Sequence, residues 1–233
     1  MIRNIFLTII ALFFTVSVWA NDFTVQKLPN GQTIVIQEVK NNPLVTIDTW
    51  VRTGSINETD INSGVAHFLE HLFFKGTKLH PAGEFDRILE SKGAVVNAAT
   101  SKDFTHYYIT IPSTYFETAM ELHADMLTNP QIPRKELEKE RKVVLEEISK
   151  DLNTPSKIVY NNLNEMMYSH HPYKRKVIGS ADVISTIRRE EIPTGKKITV
   201  KVCRWGWLSN TEWGVREEEV EVEEKFAYYV RVR

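Results

Sequence analysis

The chemistry of this sequence is concentrated in five positions, His67-Phe68-Leu69-Glu70-His71. On a helix, spacings of three and four bring both imidazoles and the carboxylate onto one face. Two neutral imidazoles four residues apart can hold one zinc ion, and a glutamate beside them can act on the water that the ion activates. The order His-x-x-Glu-His inverts the commoner His-Glu-x-x-His signature. Residue frequencies alone would produce it in a chain of this length roughly once in a hundred. The competing explanation is two solvated histidines with an incidental glutamate. Phe68, Leu69, Leu72, Phe73 and Phe74 argue against it. They make the helix strongly apolar, so the polar triplet would be partly buried and would need partners.

A catalytic zinc takes three protein ligands and keeps one position open. A charged stretch downstream offers Glu136, Glu138, Glu140, Glu146 and Glu147. Glu140 and Glu147 lie two helical turns apart on nearly one face, with Val143 and Val144 between them, and Glu146 points about a quarter turn away. Spacing alone does not choose among these carboxylates, because a charge run is ordinarily a solvated face. The other histidines carry less. His123 sits on an apolar helical stripe and is expected in the core. His170-His171 before Pro172 reads as a polar loop, and His80 before Pro81 as solvent-facing. His106, in a strand beside Tyr107 and Tyr108, could face core or cleft. Cys203 has no paired base or helix start near it and is not expected to be a nucleophile.

The elements that must position these groups follow from composition and periodicity. A chain of 233 residues, 42% hydrophobic and 25% charged, is globular in type, which disfavours disorder and coiled coil. Lys+Arg of 29 against Asp+Glu of 30 leaves no broad footprint for nucleic acid. The single cysteine excludes an internal disulfide framework and any cysteine-rich zinc module, so metal chemistry falls to histidine and carboxylate.

Residues 1–20 read as a cleaved export signal. Arg3 is followed by an apolar run from Ile5 to Val18, and Val18-Trp19-Ala20 supplies the cleavage site. About sixteen apolar residues is short for a spanning helix, for which roughly 20 are needed. An uncleaved anchor is the alternative. The expected location is periplasmic or secreted, with no stable membrane span once the signal is removed.

Phe23 to Leu28 and Gln32 to Gln37 flank Asn30-Gly31 and read as a hairpin. Leu44 to Arg52 alternates as a third strand. Helices are expected from Val65 to Lys75 before Gly76, and from Pro81 to Lys92 before Gly93. Strands follow at Ala94–Thr100 and Thr105–Ile111. Ser113 is expected to cap a helix to Thr128, and further helices are expected over Pro133–Asp151 and Ser156–Tyr168. Asp182 is expected to cap a last short helix to Arg189. The class is α+β, an antiparallel sheet packed against helices. Ile192 to Arg233 differs, with Trp205, Trp207 and Trp213 close together and an acidic run from Glu217 to Glu224. Val220-Glu-Val-Glu could be an edge strand, but no core pattern is evident.

Three separated stretches resemble the inverzincin metallopeptidases, the group of pitrilysin, insulin-degrading enzyme and mitochondrial processing peptidase. His67-Phe-Leu-Glu-His71 is similar to the family's zinc helix, and Glu140-Arg-Lys-Val-Val-Leu-Glu-Glu147 to its second helix, with a fitting interval of 76 positions from His71 to Glu147. Asn97-Ala-Ala-Thr100 with Thr105-His-Tyr-Tyr108 resembles the strand pair that lines the substrate cleft. Arg52-Thr-Gly-Ser55 and Gly64-Val-Ala66 fit as well, so the likeness covers roughly residues 23 to 190.

The resemblance implies roles. His67, His71 and Glu147 would ligate zinc, Glu70 would be the general base, and Glu140 would orient a ligating histidine. Asn97 and Ala98 would lie on an edge strand where an extended peptide adds by backbone pairing. The implied activity is zinc-dependent endoproteolysis of peptides or small proteins. The family's usual second domain is not seen, so a second domain or partner subunit is expected to complete the cleft. The expected division is 1–20 signal, 21–191 metallopeptidase domain and 192–233 an atypical tail, read as shifted in frame or degraded. A silent remnant or binding subunit that keeps the fold, and with it the zinc, is the competing reading.

Overall fold

The computed structural model describes residues 23–39 and 42–192, and the backbone alone of 199–209, 212–221 and 226–232. The expected export signal and the side chain of Cys203 lie outside the described residues. The first hairpin forms as the Asn-Gly turn requires, with strands β1 (Phe23–Lys27) and β2 (Thr33–Glu38) paired antiparallel. Gly31 at its tip has φ +85°, a conformation that only glycine adopts without cost. Strand β3 (Leu44–Val51) pairs antiparallel with β5 (Thr105–Pro112), which in turn pairs with β4 (Val95–Thr100).

Three strands come from the final stretch. β6 (Thr199–Ser209) and β7 (Glu212–Glu221) form a separate antiparallel pair, and β8 (Phe226–Val232) enters the main sheet. Val220-Glu221 is therefore in a strand, but its partner is β6 rather than an edge of the main sheet. The six-stranded order is β1-β2-β8-β3-β5-β4. The sheet is antiparallel except where β8 runs parallel to β2. Strand β4 ends the order, so among the described residues one of its edges has no strand partner.

Alternation gives the sheet its two faces. Val45, Ile47, Thr49 and Val51 of β3 are buried beside Thr105, Tyr107, Ile109 and Ile111 of β5. Against this face pack helices α1 (Val65–Phe73), α2 (Glu84–Glu90) and α3 (Phe116–Thr128), through Phe73, Phe85, Leu89, Leu122 and Met126. A second cluster joins the other flank of α1, at Val65, Phe68 and Leu72, to α4 (Arg134–Leu152) through Leu137, Val144 and Ile148. Ile184 of α6 (Ala181–Thr186) closes that cluster, and α5 (Pro155–Met167) follows α4. Helix α1 is thus gripped on two apolar flanks. Its third face, carrying His67, Glu70 and His71, is held in a fixed direction.

Some expected boundaries shift, for local reasons. Ser113 does not cap α3. It opens a 3-10 turn, Ser113–Tyr115, and the α-helix begins at Phe116. The cap of α6 is Ser180, whose hydroxyl oxygen accepts the Val183 N–H at 3.3 Å, while Asp182 lies inside the first turn. That helix ends at Thr186 rather than Arg189.

Candidate metal centre and cleft

Helix α1 begins without a capping side chain at the residue before it: Gly64, at φ +93°, supplies none. The free N–H groups of its first turn are met by Glu58, six to eight residues upstream. Its buried carboxylate accepts from Gly64 N and Ala66 N at 2.8 Å each. Burial pushes the Glu58 carboxyl up, and those two donors, with the Arg175 charge, oppose it. The loop before α6 closes on the same point. A Cβ added to Gly179 would lie 2.3 Å from the Gly64 Cα, so the two backbones touch only because both residues are glycine. Lys102 ties this loop to the β4–β5 hairpin, donating to the Tyr173 carbonyl and, at 3.0 Å, to that of Arg175.

Held this way, α1 presents its polar face to α4. Nε2 of His67 and Nε2 of His71 each lie 3.7 Å from Glu147 Oε2. One donor atom from each of the three residues fits within 4.8 Å of the others. A tetrahedral zinc with bonds of about 2.1 Å separates its ligand atoms by about 3.4 Å, and the two histidine–glutamate distances of 3.7 Å are close to that. The chemistry of the donors fits as well. Burial, with the neighbouring charges of His71 and Lys157, lowers the His67 pKa to about 4, so its ring is neutral at pH 7 with a lone pair to give.

Around this trio are the groups that aim it. Glu140 Oε2 lies 3.2 Å from His71 Nδ1, the nitrogen turned away from Glu147, and its other oxygen pairs with Lys75 Nζ at 3.0 Å. Glu70 accepts a hydrogen bond from the Thr100 hydroxyl of β4. Burial raises the Glu70 carboxyl above its ordinary value, and the Glu147 charge adds to that; Thr100, His71 and His106 pull the other way. Glu70, Glu140 and Glu147 outnumber the two cations near them, Lys75 paired with Glu140 and Lys157 acting on His67, and leave an excess of negative charge that favours a bound cation.

The carboxylates that spacing left undecided now separate. Glu140 and Glu147 face the histidines, Glu136 pairs with Lys139 at 2.7 Å, Glu138 pairs with Arg141 at 3.1 Å, and Glu146 is exposed. His123 is buried in the core, its Nε2 2.8 Å from the Thr49 hydroxyl. His170 and His171 are exposed, and His80 is half-buried with Nδ1 3.7 Å from Glu84. His106 faces away from the core, 3.1 Å from Asp48 and stacked on Trp50.

A cleft of about 280 Å³ opens beside Glu70 and His71, bordered by Asn97 and Ala98 of β4. Ser101 N–H bonds the Phe104 carbonyl, so alternation along the hairpin turns the main chain of Asn97 and Ala99 toward β5 and that of Ala98 toward the open edge. There the Ala98 N–H is met by its neighbour's Asn97 Oδ1 at 2.9 Å. Glu58, Thr100 and Lys75 are site residues that sequence reasoning missed. Thr100 closes the Asn97–Thr100 strand segment that resembles the family's cleft strand, and no local pattern marks the other two.

A helix bearing His-x-x-Glu-His, faced by a glutamate from a second helix and flanked by an open sheet edge, defines a domain of the metallopeptidase type. The chain belongs to the insulinase family, peptidase family M16, whose profile matches residues 33–181. It is 35% identical over 166 residues to the uncharacterized zinc protease YmxG of Bacillus subtilis, covering 70% of this chain and 40% of that one. It is 32% identical over 168 residues to the mitochondrial cytochrome b-c1 complex subunit 1 of Bos taurus, covering 72% and 35%. Among solved structures it is similar to a protease from Helicobacter pylori, with a TM-score of 0.74 at 27% identity, covering 91% of this chain and 47% of that one. The chain thus spans less than half the length of these relatives.

Proposed function

We propose that this chain is the metal-binding domain of a zinc-dependent endopeptidase that hydrolyses extended peptides. The observation that carries the reading is the convergence of His67, His71 and Glu147 on one point, with Glu70 on the same helix face. In this reading those three residues hold the ion. Bound there, zinc supplies a charge that polarises the scissile carbonyl and makes water acidic enough to lose a proton near neutral pH. Glu70 is the general base: its carboxylate takes the proton of the attacking water and passes it to the leaving amine. The burial that raises its pKa brings it nearer the working pH for both transfers.

The other groups position. Glu140 fixes the ring orientation of His71, and Lys75 holds Glu140. Thr100 holds Glu70. Asn97 and Ala98 offer the open edge of β4, on which a substrate strand pairs. Export to the periplasm or exterior accords with the apolar start of the chain, residues 5–18. Among the described residues no helix is long and apolar enough to cross a membrane. Because the chain spans less than half of its relatives, a second domain or partner subunit is proposed to complete the cleft, and the stretch from residue 192 is proposed to be an atypical end to the domain, although its strand β8 pairs with β2 and β3 in the main sheet.

A second reading is a silent or binding subunit that keeps the fold and with it the zinc; a relative 32% identical is itself named a subunit, of the cytochrome b-c1 complex. The two separate on one experiment. An unstructured quenched-fluorescence peptide is incubated with the zinc-loaded chain, with a chelator, and with Glu70→Gln. Cleavage abolished by both treatments supports the peptidase. Cleavage by Glu70→Gln at the parent rate removes Glu70 from its role, and no cleavage by the parent even beside the domain or subunit that completes its cleft favours the silent subunit.

A further inference from the structure

The tip of the β4–β5 hairpin, residues 101–104, is gripped from two sides. The Ser101 N–H closes the tip on the Phe104 carbonyl at 2.7 Å. On one side the tip's carbonyls accept from the segment before α1, Ser101 from the Ser55 N–H at 3.3 Å and Lys102 from the Ile56 N–H at 2.8 Å. A Cβ on Gly54 would lie 2.4 Å from the Ser101 carbonyl oxygen, so only glycine lets the two backbones meet. On the other side the Lys102 side chain reaches the 3-10 turn Pro172–Lys174, donating to the Tyr173 carbonyl and, at 3.0 Å, to that of Arg175. Its ammonium stands 5.7 Å from the ring centre of Tyr173 and 5.9 Å from that of Tyr160. One residue thus joins three segments that are far apart in sequence.

Each of those segments leads to α1. The hairpin carries Thr100, next to Ser101, whose hydroxyl donates to Glu70. The segment from Gly54 carries Glu58, which takes two N–H groups at the helix start. The loop beyond Arg175 carries Gly179, packed on Gly64. Lys102 is 9% exposed, and burial pushes its pKa down while the Asp103 charge opposes. A buried ammonium group is a poor source of stability, since an apolar side chain would fill the same space with less desolvation. What it adds is direction, because its N–H donors hold the two carbonyls at hydrogen-bond length.

We infer that Lys102 is a positioning residue for peptide hydrolysis: by anchoring the hairpin tip it sets where Thr100 holds the Glu70 carboxylate beside the metal trio. The inference rests on the peptidase reading above, and its test separates the two. The groups that Lys102 holds are loop carbonyls, not metal ligands. Asn97 and Ala98 lie farther along β4, opposite Tyr108 and Tyr107, and keep their register without it. Its loss should therefore lower kcat while leaving KM and zinc content as they are.

Cleavage of the quenched-fluorescence peptide is compared for the zinc-loaded parent, Lys102→Met, Thr100→Val and the double variant. Misplacing a reacting group by about 1 Å can cost about a hundredfold. The smaller shift expected in Lys102→Met should lower kcat about tenfold, with KM and zinc content unchanged. Because Lys102 acts through Thr100, the double variant should match Thr100→Val within about twofold. A parent-like kcat in Lys102→Met, a loss seen only in KM, or losses that multiply in the double variant overturn the inference and leave the peptidase intact. Urea unfolding shows that each variant is folded, and Lys102→Gln replaces Lys102→Met if the latter is not. If the parent cleaves nothing even beside the domain or subunit that completes its cleft, the peptidase reading fails instead, and hydrogen exchange decides the anchor. Exchange at the Ile56 and Ser101 amides about tenfold faster in Lys102→Met supports it, and unchanged exchange overturns it.

Discussion

Removing the Glu58 carboxylate should loosen the helix that carries three of the site residues, by an amount the geometry allows to be worked out. Glu58 accepts two backbone N–H groups at 2.8 Å, those of Gly64 and Ala66, at the start of α1. Each hydrogen bond to a charged acceptor contributes about 1.5–3 kcal/mol, and orphaning a buried donor costs about as much. Burial of the carboxylate opposes this and outweighs the two donors in its pKa, so the loss on truncation is mainly that of the two orphaned N–H groups. The net expected loss for Glu58→Ala is therefore about 2–3 kcal/mol. Glu58→Gln keeps one acceptor oxygen and should lose about 1 kcal/mol.

The consequence for function follows from position. Ala66 immediately precedes His67, so a frayed first turn displaces a proposed zinc ligand, and zinc affinity should fall about tenfold in the alanine variant. Urea unfolding of the metal-free protein gives the stability at an unchanged m-value. Zinc competition titration gives the affinity. Glu58→Ala within about 0.5 kcal/mol of the parent would refute the capping argument, because surface substitutions commonly stay in that range.

The remaining expectations concern pH, backbone contact and the separation of metal from turnover. Burial lowers the His123 pKa to about 3, whereas the unfolded chain titrates it near 6.5. The unfolded state thus takes the proton first, so this stability is full above pH 6.5 and is lost by about 1.4 kcal/mol per pH unit as pH falls toward 3. Between pH 7.5 and 5.5 the metal-free parent should lose about 1.4 kcal/mol more than His123→Gln in urea unfolding, and equal losses would contradict this. Gly179→Ala drives a Cβ to 2.3 Å from Gly64 and should cost at least about 2 kcal/mol. Gly31→Ala, at φ +85° but with nothing within 4 Å, should cost about 1 kcal/mol, and equal losses in thermal unfolding would remove the close-contact argument. Glu70→Gln should stop peptide hydrolysis yet keep zinc, whereas Glu147→Gln should weaken zinc itself. Metal content measured beside turnover separates them, and loss of zinc from Glu70→Gln would be the wrong result.

What the sequence discloses depends on how local the interaction is. His67, Glu70 and His71 are legible because helical spacing alone puts them on one face. The alternation of β3 and β5 is legible for the same reason, with period 2 in place of 3.6, and it sets which face is buried. His123 reads as a core residue from its place on a helical stripe. The third carboxylate is different. Glu147 and Glu140 reach the histidines across 69 or more positions, through the packing of Val144 and Leu137 against α1. No periodicity within α4 marks which of its glutamates that packing turns inward, and only the resemblance to a family singled them out. Glu58, Thr100 and Lys75 are harder still, since each acts through a contact between a loop or strand and a helix. Ser113 shows the limit of propensity: a good capping residue, it opens a 3-10 turn, with its N–H on the Pro43 carbonyl at 2.9 Å.

The central claim is that His67, His71 and Glu147 together hold one zinc ion. It is tested most directly by elemental analysis of the purified chain beside His67→Ala, with circular dichroism to show that both are folded. The account predicts one zinc per chain in the parent and none in the variant. A folded parent without zinc, or a His67→Ala variant that retains it, would contradict the site.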